Sequence, residues 1–183
     1  MADGLLPLIP FEAVAASAPI LRAGIERTTR LLSLRWVVGG AVTSVRMPPR
    51  IPAPRRADDL WTHTCFEAFI GAAGSEAYWE INVSPSGDWN VYRFDGYRRG
   101  MRPETRLRAV SALERASCGT VTLRAGIDLS SLPELAHGEL DTSLAAVLEA
   151  TDGTLSHWSI VHAATRPDFH RRESFVMRLT EPE

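Results

Sequence analysis

The chain has 183 residues, 45% hydrophobic and 23% charged, with a formal net charge of −2, which suits one globular domain with a sizeable core and excludes a strong electrostatic pull toward nucleic acid or an anionic membrane. All 20 basic residues are arginine, and no apolar run approaches the ~20 residues of a membrane span. Asp3, Pro7 and Pro10 interrupt what would be the charged and apolar parts of a secretory signal, so the expected location is the cytoplasm, a reducing compartment in which Cys65 and Cys118 remain thiols.

In chain order, residues 1–30 read as an N-terminal extension or first strand. Their stretch "FEAVAASAPILRAGIERTTR" is weakly helical but broken by Pro19 and Gly24. Two β-rich runs follow, "LLSLRWVV" and "AVTSVRM", joined at Gly39–Gly40 as a hairpin. Residues 47–59, "MPPRIPAPRRADD", carry four prolines and must form a loop. Beyond it, "CFEAFIG", "AYWEINVS", "DWNVYRF", "TRLRAVSA", "TVTLRAGIDL", "SLAAVLEA", "HWSIVHA" and "SFVMRL" alternate with period two and are separated by turn signals. Only "SSLPELAHGEL" suggests a helical turn. About ten short strands with regular turns predict an all-β chain: a single-domain antiparallel β-sandwich over 1–183, jelly-roll or immunoglobulin-like, with little helix.

The stretch "YWEINVSPSGDWNVYRFDGYRRGM" is the most informative. With "SPSGD" as the connection, Val83 faces Trp89, Ile81 faces Val91 and Trp79 faces Arg93. This largely apolar face is expected on the core, together with Cys65 and Phe69 from a nearby strand. The alternate face then gathers Tyr78, Glu80 and Asn82 across from Phe94, Tyr92 and Asn90. A carboxylate, two carboxamides and phenols beside aromatic rings suit a small-molecule ligand of saccharide type: hydroxyls pair with carboxylates and amides, and the C–H face of a pyranose packs on a ring. Glu80, Asn82, Asn90 and Tyr92 are the expected hydrogen-bonding groups. Trp61 and Trp158, each near the start of a strand, are the expected stacking platforms. Tyr97 and Arg98 follow the hairpin and could close the mouth of a site. The same pattern also fits a half-solvated sheet with a polar outer face.

Other chemistries find less support. His157, His162, Asp168 and His170 offer metal-ligand types, but His157 and His162 point to opposite faces of a strand. "RPDFH" reads as a turn in which Asp168 bonds backbone amides. Haem would draw on Met101, His63 or His162, with no CxxCH motif present. Glu67 and Glu80 are the two carboxylates a glycosidase would need, whereas no GxSxG elbow, P-loop or strand-borne GxGxxG occurs. Arg93, Arg98, Arg99, Arg102, Arg106 and Arg108, near Tyr92 and Tyr97, could stack single-stranded nucleic acid, but the sequence pI of about 6.2 opposes it. No cofactor, nucleic-acid partner or membrane association is expected, and the pattern sets no oligomeric state.

"LWTHTCFEAFI", then "AYWEINVSPSGDWNVYRFDGYRRGM" and finally "HWSIVHAATRPDFH" resemble the DOMON-like superfamily, within it a bacterial branch related to family nine carbohydrate-binding modules. Trp61, Glu67 and Phe69 match a Trp-led acidic strand; Tyr78, Asn82 and Gly87 match the hairpin after it; "LRAGIDLSSL" is similar to a late amphipathic strand. The likeness runs from about Leu31 to Leu179. It implies a sandwich of roughly ten strands that binds sugars or, in other branches, haem. Thr64 stands where the sugar-binding modules commonly carry an acidic residue, which removes one carboxylate from any transferred sugar or calcium site.

Overall fold

The computed structural model describes residues 4–15, 17–107, 109–116 (as backbone) and 119–182; Asp3, Arg108 and Cys118 lie outside the described residues. Two antiparallel sheets are stacked face to face, as the strand alternation predicts. The smaller has five strands in the order β1 (Leu6–Pro7), β3 (Pro19–Arg27), β4 (Leu31–Gly40), β10 (Thr120–Asp128) and β9 (Ala109–Ala116). The larger has eight, running β2 (Ile9–Pro10), β12 (Leu155–Ser159), β11 (Leu140–Glu149), β5 (Cys65–Ala72), β6 (Tyr78–Val83), β7 (Trp89–Phe94) and β8 (Arg102–Pro103), with β13 (Met177–Leu179) paired to the start of β11. The one α-helix among the described residues is a single turn, α1 (Pro133–Ala136), inside the segment with helical signals. No helix among them is long and apolar enough to cross a membrane.

Two local expectations are corrected. The segment expected to be weakly helical contains β3, whose Leu21, Ala23 and Ile25 alternate onto the core. Gly24 belongs there because the backbone of Gly4 crosses so closely that a Cβ would meet its carbonyl oxygen at 2.8 Å. The Gly39–Gly40 hairpin does not form: β4 runs on to Gly40 at φ 68°, and its partners are β3 and β10. After a short 3₁₀ turn at Val42–Ser44 the chain crosses to the larger sheet, where Val45 bridges Ala150. The proline loop then lies against the β6–β7 connection, with Ile51 N–H donating to the Ser86 carbonyl and Ala57 N–H to that of Trp89.

The main core fills the space between the sheets. Trp36 and Phe66 meet there with ring centroids 5.9 Å apart, and Trp79, Ile81, Val83, Val91 and Leu123 surround them. Trp89 packs on its margin, half-buried. Cys65 and Phe69 are buried as well, but on the opposite face of β5, because Phe66, Ala68 and Ile70 take the inward positions. "CFEAFIG" is apolar at both phases, so alternation alone cannot choose between them. Phe69 instead joins Tyr78, Tyr92, Phe94, Phe169 and Phe175 in a second aromatic cluster on the outer face of the larger sheet. Irregular chain at 160–176 lies over this face, so β6 is buried on both sides.

Candidate ligand-binding site

The β6–β7 hairpin has the register that its turn chemistry predicts. Gly87 turns the chain at φ 98°, and Tyr78, Glu80 and Asn82 stand opposite Phe94, Tyr92 and Asn90. On the neighbouring strand Glu67 faces Asn82. Alternation therefore sets Glu67 and Glu80 side by side on the outer face of the larger sheet, at 3% and 4% exposure. Asn82 Nδ2 donates to Glu80 Oε1 at 2.7 Å, and the Cys65 thiol lies 3.7 Å from Asn82 Oδ1. Glu67 Oε1 is buried and has no hydrogen-bond partner. Burial pushes the Glu80 carboxyl up to about 7, offset in part by the Asn82 hydrogen bond and the Arg98 charge. Glu67 rises well above the usual carboxylate range through burial and then through the proximity of Glu80.

The opposite wall comes from the covering segment and the β7–β8 turn. Asp168 accepts from the Tyr97 hydroxyl at 2.5 Å, from Arg98 Nη2 at 3.0 Å and from the His170 backbone N–H at 3.2 Å. Burial opposes ionisation of Asp168, but the Tyr97 and Arg98 hydrogen bonds prevail and hold it below its ordinary value. His170 Nδ1 is 2.8 Å from the Tyr78 hydroxyl, and its Nε2 is 3.8 Å from Glu80 Oε2. Burial, reinforced by Arg98, lowers His170 to about 4, so the ring is neutral at pH 7. Between the walls is a cavity of about 320 Å³ with Glu67 and Glu80 on its floor. Trp61, Phe94, Val147, Met101 and Phe169 supply apolar surface, and Arg98, His157, Asp168 and His170 supply polar groups.

Of the residues expected at a site, Trp61, Glu80 and Arg98 line this cavity. Asn82 lies beside it, orienting Glu80. Asn90 and Tyr92 serve a different purpose: both donate to Asp58 Oδ1, at 2.9 and 2.5 Å, and Arg56 Nη1 donates to Asn90 Oδ1. They fasten the proline loop and support Trp61, whose ring meets Tyr92 edge-on at 5.8 Å. The Tyr97 ring lies outside the cavity, beneath the Arg171 guanidinium, while its hydroxyl holds Asp168. Trp158 cannot be a platform. It is 3% exposed, pairs across from Ala146 and belongs to the inter-sheet core, so neither ring face can meet a ligand.

Asp168 does bond a backbone amide, as a turn residue would, but "RPDFH" also places Phe169 and His170 in the cavity wall. No periodic signal marks an irregular segment that folds back over a sheet. Thr64 is a backbone clamp: its hydroxyl donates to the Arg46 carbonyl and accepts from the Glu149 N–H. Among the described residues no group of three or more His, Cys, Asp or Glu is arranged to hold a metal ion. His63 is engaged by Glu149 and His162 by the Ile9 carbonyl, leaving Met101 as the one of the three haem-ligand candidates that lines the cavity. Arg93, Arg98, Arg99, Arg102 and Arg106 each pair with a carboxylate rather than forming an open basic track.

No protein-family model matches the chain, and no curated protein matches it. Solved structures do. One is a proposed carbohydrate-binding protein from Bacteroides uniformis, which aligns over 97% of this chain and 86% of its own at a TM-score of 0.67 and 16% identity. Family 9 carbohydrate-binding modules from Caldicellulosiruptor kristjanssonii align too. A complex with glucose covers 98% of this chain and 85% of its own, with TM-score 0.53 and 12% identity. A complex with cellotriose covers 97% and 80%, with TM-score 0.54 and 12% identity. At these identities the likeness establishes a shared fold, and the chain has the sandwich fold of family 9 carbohydrate-binding modules.

Proposed function

We propose that the chain is a non-catalytic carbohydrate-binding domain whose site is the cavity over β5, β6 and β7, within a sugar-binding rather than haem-binding branch of the DOMON-like superfamily. One observation carries the reading: a cavity of small-ligand size lined by two buried carboxyl groups, by aromatic rings and by further polar side chains. Glu67 and Glu80 accept from, or when protonated donate to, neighbouring hydroxyls, and Arg98 adds donors at the rim. Trp61, half-buried, offers a ring in the cavity lining. The fold it shares with modules solved in complex with glucose and cellotriose supports a saccharide over other small ligands. Glu67 and Glu80 approach a ligand from one side, from adjacent strands, whereas a glycosidase flanks the scissile bond with its two acids. That arrangement favours binding over hydrolysis.

The test is isothermal titration calorimetry with glucose and cellotriose, backed by a glycan array. Binding is expected. Glu80→Gln should weaken it by about tenfold, in line with about 1–3 kcal/mol for a hydrogen bond to a buried group. Trp61→Ala should weaken it by about tenfold or less through the lost ring contact. A folded protein that binds nothing on the array rules the proposal out.

A further inference from the structure

The cavity holds three carboxyl groups, and among the described residues only Asp168 has an arginine in hydrogen-bond contact, while the Arg98 charge reaches Glu67 and Glu80 through space. Asp168 is fully engaged: Arg98 Nη2 lies at 3.0 Å, the Tyr97 hydroxyl at 2.5 Å and Arg171 Nε at 3.6 Å. Glu67 and Glu80 have no such partner. Asn82 satisfies one oxygen of Glu80 with a neutral N–H, while Glu67, a residue 3% exposed, has no hydrogen-bond partner at Oε1. Every element packed around the pair leads to the same result. Cys65 on β5 is a thiol pushed up by burial and by both glutamates, and so stays neutral. Tyr78 on β6 is a phenol pushed up to about 12. His157 on β12 lines the same cavity, but its Nδ1 faces Glu12 at 2.8 Å. From the covering segment, His170 Nε2 stands 3.8 Å from Glu80 on a ring that burial keeps neutral, and Asp168 adds further negative charge. The Arg98 charge acts on both glutamates, but its guanidinium is hydrogen-bonded to Asp168.

Two buried carboxylates without a cation are unfavourable, so the empty site must retain a proton or receive its positive charge from a ligand. We propose that the ligand supplies it: the site selects an amino sugar, whose primary ammonium is held between Glu67 and Glu80. This rests on the saccharide reading above and narrows it. An ammonium carries three N–H donors, enough to serve the two cavity-lining carboxyl groups together. A hydroxyl carries one and brings no charge. Ionising both carboxyls expels the proton retained by the empty pair, so amine binding releases a proton to solvent and weakens as pH falls through the Glu80 value of about 7.

The experiment titrates the full chain with glucose, glucosamine and N-acetylglucosamine near pH 7, in two buffers of different ionisation heat. Exchanging neutral for charge-assisted hydrogen bonds predicts that glucosamine binds about tenfold tighter than glucose. Its N-acetyl derivative, uncharged and bulkier by one acetyl group, should lose that advantage. Proton release should accompany glucosamine alone, and the glucosamine-to-glucose ratio should shrink toward pH 5. Glu67→Gln and Glu80→Gln should each bring the ratio close to one. Equal affinities for glucose and glucosamine without proton release overturn the amine selectivity and leave saccharide binding standing. Failure of all three sugars to bind overturns the amine selectivity, and saccharide binding falls with it only if the glycan array is blank as well.

Discussion

Glu80 occupies a position that costs the fold stability, and its sign with pH can be worked out. Its carboxyl is raised from 4.5 to about 7, mainly by burial. Between those values the folded chain holds more protons than the unfolded chain, so stability falls as pH rises. The cost is absent below about 4.5 and complete above about 7. That gap corresponds to about 3 kcal/mol at full burial. Glutamine, isosteric with the protonated acid, keeps the oxygen that Asn82 bonds and carries no charge. Glu80→Gln should therefore raise the melting temperature at pH 8 and match the parent at pH 4, as scanning calorimetry at both values would show. A lower melting temperature at pH 8 would mean that the ionised carboxylate stabilises the fold. At this scale the sequence was legible where alternation decides: Glu80 and Asn82 share a face in any register of the hairpin. Trp158 was not, because alternation groups it with Ile160 without saying which group faces inward. Its pairing opposite Ala146, a long-range contact, settles that.

The β6–β7 hairpin was readable as an element because everything that sets it is local: a five-residue connection with Gly87 at positive φ, and apolar residues spaced by two. Its inner face carries Trp79, 2% exposed, with Nε1 donating to Glu104 at 3.2 Å and the Arg93 guanidinium 5.1 Å from the ring centroid. Trp79→Ala should cost about 3–5 kcal/mol, through lost burial and an unfilled cavity between the sheets. Urea denaturation would measure it, and a midpoint equal to the parent's would mean that the inner face contributes little to stability. β3 and the end of β4 were not readable in this way. Pro19 and Gly24 look like breakers, and Gly39–Gly40 looks like a hairpin turn, when each is taken alone. Their roles follow from partners distant in sequence: Gly4 passing over Gly24, and β10 pairing along β4.

At the scale of the whole molecule, the site exists because chain at 160–176 folds back over the outer face of the larger sheet and turns a polar surface into a cavity. The segment is irregular, so no period announces it. Its attachment is specific nonetheless. Phe169 and Phe175 pack at 6.2 and 6.0 Å from Phe69, and Asp168, with its side chain 2% exposed, ties the segment to Tyr97 and Arg98. Asp168 is held below its ordinary value of 3.8, so its contribution is fully present above that value and is lost as pH falls further. Asp168→Asn keeps the shape but removes the charge from both hydrogen bonds. Since Arg98 is half exposed, the loss should be about 1–2 kcal/mol, at the lower end for hydrogen bonds to charged groups. The opening it promotes should be local, because the inter-sheet core does not depend on Asp168. Near pH 7 the variant should be cut by trypsin after Arg171 and Arg172 about tenfold faster than the parent, since cleavage of a transiently opened segment follows its opening equilibrium. The global unfolding free energy from urea denaturation should fall by the same amount, about 1–2 kcal/mol, with the m-value unchanged. Equal cleavage rates would mean that the aromatic contacts alone hold the segment down. Cleavage whose urea dependence matches the global m-value would mean that segment and sandwich unfold as one unit, with no separate opening of the site.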